Sequence, residues 1–81
     1  MRGSVRFFAS LREAAGCADM AWELADGATL ADLLAHLRRA LPALEQPIDN
    51  AWLAVNRRYA ALDASLQEGD EVALFPPVSG G

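Results

Sequence analysis

Residues 71–81 read Glu71-Val72-Ala73-Leu74-Phe75-Pro76-Pro77-Val78-Ser79-Gly80-Gly81, a strand pattern followed by a stiff and slender tail. The two prolines favour an extended backbone, and six extended residues span roughly 20 Å. The two glycines carry no side chain, so the tip can enter a channel too narrow for other residues. We therefore predict a folded domain over residues 1–75 and an extended tail over residues 76–81 that a partner enzyme can grip. Taken alone, the Gly-Gly end is also typical of an ordinary frayed terminus.

The rest of the sequence predicts an α+β domain with one main helix. Leu30, Leu33, Leu34, Leu37 and Leu41 fall within one narrow arc at helical spacing, and Pro42 ends the helix. Thr29 and Asp32 have the spacing of a capping box, and Ser10 is the expected cap of a short first helix. The expected strands cover residues 4–9, 20–24, 52–55, 59–66 and 71–75, with a turn over residues 56–58 and the short helix over residues 10–15. The main helix then covers one face of a mixed sheet.

Strand alternation predicts an aromatic patch on the other face of the sheet. Val5 and Phe7 point to the helix side of the first strand, so Phe8 points away from it. If the first and last strands are neighbours at the centre of the sheet, Phe8 and Phe75 protrude together at the root of the tail. Tyr59 is expected to join them. Because large contiguous apolar patches are uncommon on monomers, we interpret Phe8, Tyr59 and Phe75 as a partner interface. The alternative is that these rings pack within the chain.

Composition excludes several classes of function. A chain of 81 residues makes one domain, and its net charge of −4 opposes binding to nucleic acid. The single cysteine and the lack of an apolar leader indicate a cytoplasmic protein, and no apolar run approaches the length that crosses a membrane. All seven basic residues are arginine, which excludes a polymer of this chain linked through side-chain amides.

Side-chain chemistry gives no sign of a catalytic or metal site. Cys17 and His36 are the one possible nucleophile and base, and nothing in the sequence brings them together. One cysteine and one histidine do not make a zinc site. We interpret Glu68, Asp70 and Glu71 as solvated carboxylates of a turn. No glycine-rich phosphate loop is present, so any ATP is handled by a partner.

The terminal carboxylate is the remaining candidate for chemistry. As an anion it is a poor electrophile, so it must be activated before it can react. An acyl-adenylate supplies a leaving group, and attack by a sulfur donor then leaves a thiocarboxylate.

The chain resembles the small subunits of molybdopterin synthase over essentially its whole length. The residues that carry the resemblance are Val5-Arg6-Phe7-Phe8-Ala9, Leu11-Arg12-Glu13, Gly16, Val55-Asn56, and Gly69-Asp70 followed by residues 71–81 as quoted above. The resemblance implies a ubiquitin-like β-grasp fold, with about five strands covered on one face by one main helix.

The same resemblance implies a role for each site residue. Gly81 would carry the thiocarboxylate and Gly80 would be its slim neighbour, with the tail made of Pro76, Pro77, Val78, Ser79 and the two glycines. Phe8, Tyr59 and Phe75 would face the partner. An adenylating enzyme would use ATP and Mg²⁺ to activate Gly81, with no cofactor bound by the chain itself. The large synthase subunit would then supply the catalytic residues, and the tail would deliver sulfur to cyclic pyranopterin monophosphate to form the molybdopterin dithiolene.

Two alternatives remain open at the level of sequence. The chain could carry sulfur for another pathway, such as that of thiamine or cysteine, which shares the tail and differs in its docking partner. It could also be a β-grasp binding module whose tail is never activated.

Overall fold

The computed structural model describes residues 1–77, which form five strands, two α-helices and two short 3₁₀ turns. The strands are β1 (Arg2–Phe7), β2 (Asp19–Glu23), β3 (Trp52–Val55), β4 (Arg58–Tyr59) and β5 (Glu71–Phe75), the helices are α1 (Ser10–Ala15) and α2 (Leu30–Ala40), and the 3₁₀ turns cover Pro42–Leu44 and Pro47–Asn50.

The five strands form one mixed sheet in the order β2-β1-β5-β3-β4. β5 lies at the centre, parallel to β1 and antiparallel to β3, while the other pairs are antiparallel. Val5 is in register with Val72, and Phe7 with Leu74. The condition for the predicted aromatic patch, that the first and last strands are neighbours at the centre of the sheet, is therefore met.

The core lies between α2 and one face of the sheet. The strands contribute Val5, Phe7, Trp22, Leu53, Val72 and Leu74, and α2 contributes Leu30, Leu33, Leu34 and Leu37. The Thr29–Asp32 capping box forms as predicted. The helix ends at Ala40, one residue earlier than the leucine pattern indicated, because Leu41 precedes Pro42 and has left the helical conformation.

The prediction of a strand over residues 59–66 is wrong beyond Tyr59. Between β4 and β5, the structure contains one isolated β-bridge, which joins Ser65 to Thr29. The carbonyls of Leu62 and Ala64 instead accept hydrogen bonds from the backbone N–H groups of Ala31 and Leu30, at 2.9 and 3.0 Å. These are donors in the first turn of α2, where no intrahelical partner exists, so the segment completes the helix rather than the sheet.

Two local predictions are also corrected. Ser10 does not cap α1: it is the first helical residue, and the N-cap is Ala9, which has a φ of 51° and makes no side-chain capping bond. The turn after β3 contains two residues, Asn56 and Arg57, with φ of 51° and 71°. Positive φ at both positions is the geometry of a tight hairpin turn, so Arg58 is already part of β4.

Candidate protein-docking surface

Phe8 and Phe75 stack on the sheet face that α2 does not cover. Their ring centroids are 4.5 Å apart and the ring planes differ by 11°. The Phe8 N–H donates to the carbonyl of Leu74 at 3.1 Å, which continues the β1–β5 pairing by one residue beyond β1. Both side chains are only half-buried. The predicted adjacency of the two rings is confirmed, and their contact with a partner stays a prediction.

Tyr59 lies on the same face as Phe75 and contacts Trp52, a residue that the sequence did not single out. Its ring lies edge-on to Trp52, with centroids 5.7 Å apart and an interplanar angle of 82°. Trp52 is in turn the register partner of Phe75. Tyr59 is 72% exposed and Trp52 is 44% exposed. Residues two apart in a strand share a face, so the position of Trp52 next to the core residue Leu53 was the available signal for this extension of the patch.

A concavity of about 330 Å³ lies between these aromatic groups. Ala54 and Ala73 are in register on β3 and β5, and both line it, so small side chains form its floor. Phe8, Phe75 and Tyr59 form apolar walls, while Arg6, Arg57 and Glu71 supply charged groups. We call these eight residues the docking surface.

A buried carboxylate anchors the start of β5, the strand that carries Phe75 and leads to the tail. Asp70 accepts hydrogen bonds from Asn56 Nδ2 at 2.9 Å and from the Gln67 N–H at 2.8 Å. Asn56 Oδ1 accepts from the Glu71 N–H at 3.0 Å. Asp70 is 7% exposed, so its interpretation as a solvated turn carboxylate is wrong. It fixes the β3–β4 turn against β5.

The backbone of Asp70 is equally constrained. Its carbonyl accepts from the Ser4 N–H at 3.1 Å and from Trp22 Nε1 at 3.3 Å. A Cβ added at Gly3 would collide with this carbonyl and with the Trp22 ring. A glycine at this position therefore lets β1 and the buried tryptophan approach the start of β5.

The remaining predicted site residues belong to the tail. β5 ends at Phe75, and Pro76 and Pro77 follow it without regular structure. The division into a domain over residues 1–75 and a tail over residues 76–81 stays a prediction. Val78, Ser79, Gly80 and Gly81 lie outside the described residues, and their roles stay predictions. Within residues 1–77 no group of three or more histidine, cysteine, aspartate or glutamate side chains could hold a metal ion. No helix in that range is long and apolar enough to span a membrane.

The model of the ThiS family matches residues 5–81, from β1 to the last glycine. The chain belongs to the ThiS family. The molybdopterin synthase sulfur carrier subunit of Chlamydomonas reinhardtii is 42% identical over 83 residues, which cover 100% of both chains. These matches confirm the resemblance to the small subunits of molybdopterin synthase.

Solved structures confirm the ubiquitin-like β-grasp fold of this ThiS family member. Small archaeal modifier protein 1 from Haloferax volcanii superposes with a TM-score of 0.91 at 37% identity, over 100% of both chains. One chain in the complex of subunits 1 and 2 of the molybdopterin-converting factor from Helicobacter pylori matches with a TM-score of 0.74 at 27% identity. The match covers 100% of this chain and 100% of that one. The relatives of the chain thus include a modifier protein as well as sulfur carrier subunits.

Proposed function

We propose that this protein is the sulfur carrier subunit of a molybdopterin synthase. The observation that carries the proposal is the full-length match to a sulfur carrier subunit at 42% identity. The fold supports it, because the Phe8–Phe75 stack lies where β5 leaves the sheet and leads into the tail. A partner that docks on the aromatic face would therefore receive the tail at the same time.

The proposed chemistry begins at the carboxylate of Gly81. An adenylating enzyme binds ATP and Mg²⁺, and the carboxylate oxygen attacks the α-phosphorus to form an acyl-adenylate with loss of pyrophosphate. Hydrosulfide supplied by a sulfur donor then attacks the carbonyl carbon and expels AMP, which leaves the thiocarboxylate. The absence of a side chain at residues 80 and 81 keeps the reacting carbonyl accessible.

In the second stage the loaded carrier docks on the large subunit of the synthase. The thiocarboxylate sulfur of the tail forms a bond to cyclic pyranopterin monophosphate, and water then cleaves the acyl–sulfur bond, so that Gly81 returns to the carboxylate. A dithiolene holds two sulfur atoms, so its formation needs two loaded carriers. We assign the catalytic residues of this step to the large subunit, which makes the chain a non-catalytic donor. The single cysteine supports a cytoplasmic location for the cycle.

The likeness to an archaeal modifier protein favours one second candidate. A modifier uses the same activated glycine, but an amine of a target protein displaces AMP and the product is an amide. The two candidates share the activation of Gly81 and differ in the final acceptor.

Mass spectrometry of the intact protein tests the proposal. The chain is incubated with the adenylating enzyme of the same organism, ATP, Mg²⁺ and a sulfur donor. A sulfur carrier gains the difference in mass between sulfur and oxygen. The large subunit and cyclic pyranopterin monophosphate are then added, and the dithiolene product is assayed together with the return of the original mass. A chain that never gains mass contradicts the proposal, and a chain that ends on target proteins without dithiolene formation supports the modifier.

A further inference from the structure

The docking surface carries positive charge on a chain that is acidic as a whole. The chain has a net charge of −4, whereas the concavity is lined by two arginines and one glutamate. The ion pairs within residues 1–77 join the N-terminus to Asp26, Arg2 to Glu23 and Arg38 to Asp49. Neither Arg6 nor Arg57 takes part in them. Both arginines are exposed, and neither forms an ion pair within the described part of the chain, although Glu71 lines the same concavity.

Arg57 also occupies a backbone position that suits glycine better. It is the second residue of the β3–β4 turn and has a φ of 71°. Glycine is the usual residue there, because a Cβ is disfavoured at positive φ. The presence of asparagine at the neighbouring position is explained by the hydrogen bonds that the Asn56 side chain makes to Asp70 and Glu71. The Arg57 side chain makes no hydrogen bond within residues 1–77 that would explain an arginine at this position. A residue kept in an unfavourable conformation without a structural reason points to function.

We propose that the partner protein that docks on this surface presents carboxylate groups to Arg6 and Arg57. An apolar side chain of the same partner enters the concavity above Ala54 and Ala73, where the small side chains leave room next to the Phe75 ring. The inference rests on the proposed function, since it takes the large synthase subunit as the partner. It adds a charge requirement to an interface that the sequence analysis defined by aromatic residues alone.

This charge requirement has a kinetic signature. Charges at the rim of an interface steer encounter, so their removal slows association and weakens its dependence on salt. Steering of this kind changes association rates by about tenfold or more. Dissociation depends mainly on the buried aromatic contacts and is expected to change less.

Arg57→Gly is expected to change the rate of docking without lowering the stability of the fold. The substitution relieves the positive φ, so the melting temperature is expected to stay the same or rise, while association slows. Arg6→Gln removes the second charge without a change of backbone. Arg58→Gln is the matched control, because Arg58 is the exposed neighbour of Arg57, loses the same charge and does not line the concavity.

The experiment measures association and dissociation rates of the full-length variants with the large subunit from the same organism, at low and at high ionic strength. The inference is supported if Arg57→Gly and Arg6→Gln slow association about tenfold at low salt, if the difference disappears at high salt, and if Arg58→Gln behaves as wild type.

Two results would overturn it. Equal effects of Arg57→Gly and Arg58→Gln would show that only net charge matters. Wild-type association that does not respond to salt would remove the charge requirement while leaving the proposed function intact. A wild-type chain that does not bind the large subunit at all contradicts the proposed function itself, and the sulfur-loading assay identifies that case independently.

Discussion

Asp70 shows how far the role of one residue can depend on contacts distant in sequence. Its position in a Glu-Gly-Asp-Glu turn indicated an exposed carboxylate, but the side chain is buried against Asn56, which lies 14 residues away. Turn chemistry is local and could be predicted. The burial of the carboxylate could not, because it depends on the register of β3 and β5. The same holds for Gly3, whose importance comes from Trp22 and from the carbonyl of Asp70.

Replacement of Asp70 by alanine should lower the free energy of unfolding by about 1–3 kcal/mol, because the Asn56 amide and the Gln67 N–H lose their acceptor inside the protein. Urea denaturation followed by circular dichroism measures the change. Asp63→Ala is the control, since Asp63 lies exposed in a nearby turn. Equal losses in the two variants would contradict the role assigned to Asp70.

At the scale of the elements, alternation along a strand was the most reliable sequence signal. Leu74 is fully buried beneath α2, and its neighbour Phe75 lies half-buried on the opposite face, as the period of two predicts. The signal is strong because a slip of one residue would expose the whole core face. It failed for residues 61–66, where the carbonyls of Leu62 and Ala64 accept hydrogen bonds from the start of α2 rather than from a strand.

Adjacent substitutions in β5 should therefore have opposite consequences. Leu74→Ala leaves a cavity in the core and should lower the free energy of unfolding by about 2–5 kcal/mol. Phe75→Ala should cost less stability and should weaken binding to the large subunit. Thermal melts and calorimetric titration of folded protein make the comparison, with Phe8→Ala as a second docking variant. If Phe75→Ala destabilises the fold as much as Leu74→Ala and binds the partner normally, Phe75 belongs to the core.

The pairing of β1 with β2 should contribute a small pH-dependent stability. Arg2 Nε donates to Glu23 Oε2 at 2.7 Å across these strands, and this hydrogen bond lowers the pKa of Glu23 below its usual 4.5. A lowered folded-state pKa stabilises the protein above the unfolded-state value, and the effect is lost as the pH falls through the folded-state value.

The melting temperatures of wild type and Glu23→Gln should thus differ at neutral pH and converge in acid below pH 4.5. The control is Glu45→Gln, at an exposed carboxylate without an ion pair in residues 1–77. Its melting temperature should equal that of wild type at neutral pH. Because both partners are exposed, salt should reduce the difference. A difference for Glu23→Gln that persists unchanged below its pKa would contradict the account.

At the scale of the whole molecule, the two faces of the sheet differ in their contacts. One face packs on α2 and holds the fold together, and the other carries the docking surface beside the start of the tail. The α+β class was predictable from hydrophobic pattern, and the aromatic patch was predictable on the condition that β1 and β5 are neighbours. The alanine floor and the pair of free arginines were not, because they appear only when four strands are in register.

Extension of the chain by one residue after Gly81, or replacement of Gly81 by a bulky residue, should abolish sulfur transfer. The fold should be unaffected, since Leu74 is the last residue of the core cluster within residues 1–77. Intact mass after sulfur loading and the melting temperature are the two measurements. Ser79→Ala is the control for a change within the tail that leaves its tip intact. Transfer at the wild-type rate by the extended chain would contradict the role of Gly81.

The central position of β5 has a mechanical consequence. An edge strand under tension can peel away one hydrogen bond at a time, whereas β5 is held along both sides by β1 and β3. Tension applied through the end of β5 loads these two ladders together, in shear. An enzyme that pulls on the terminus, as the proposed function requires, would therefore have to break both ladders before the domain unfolds.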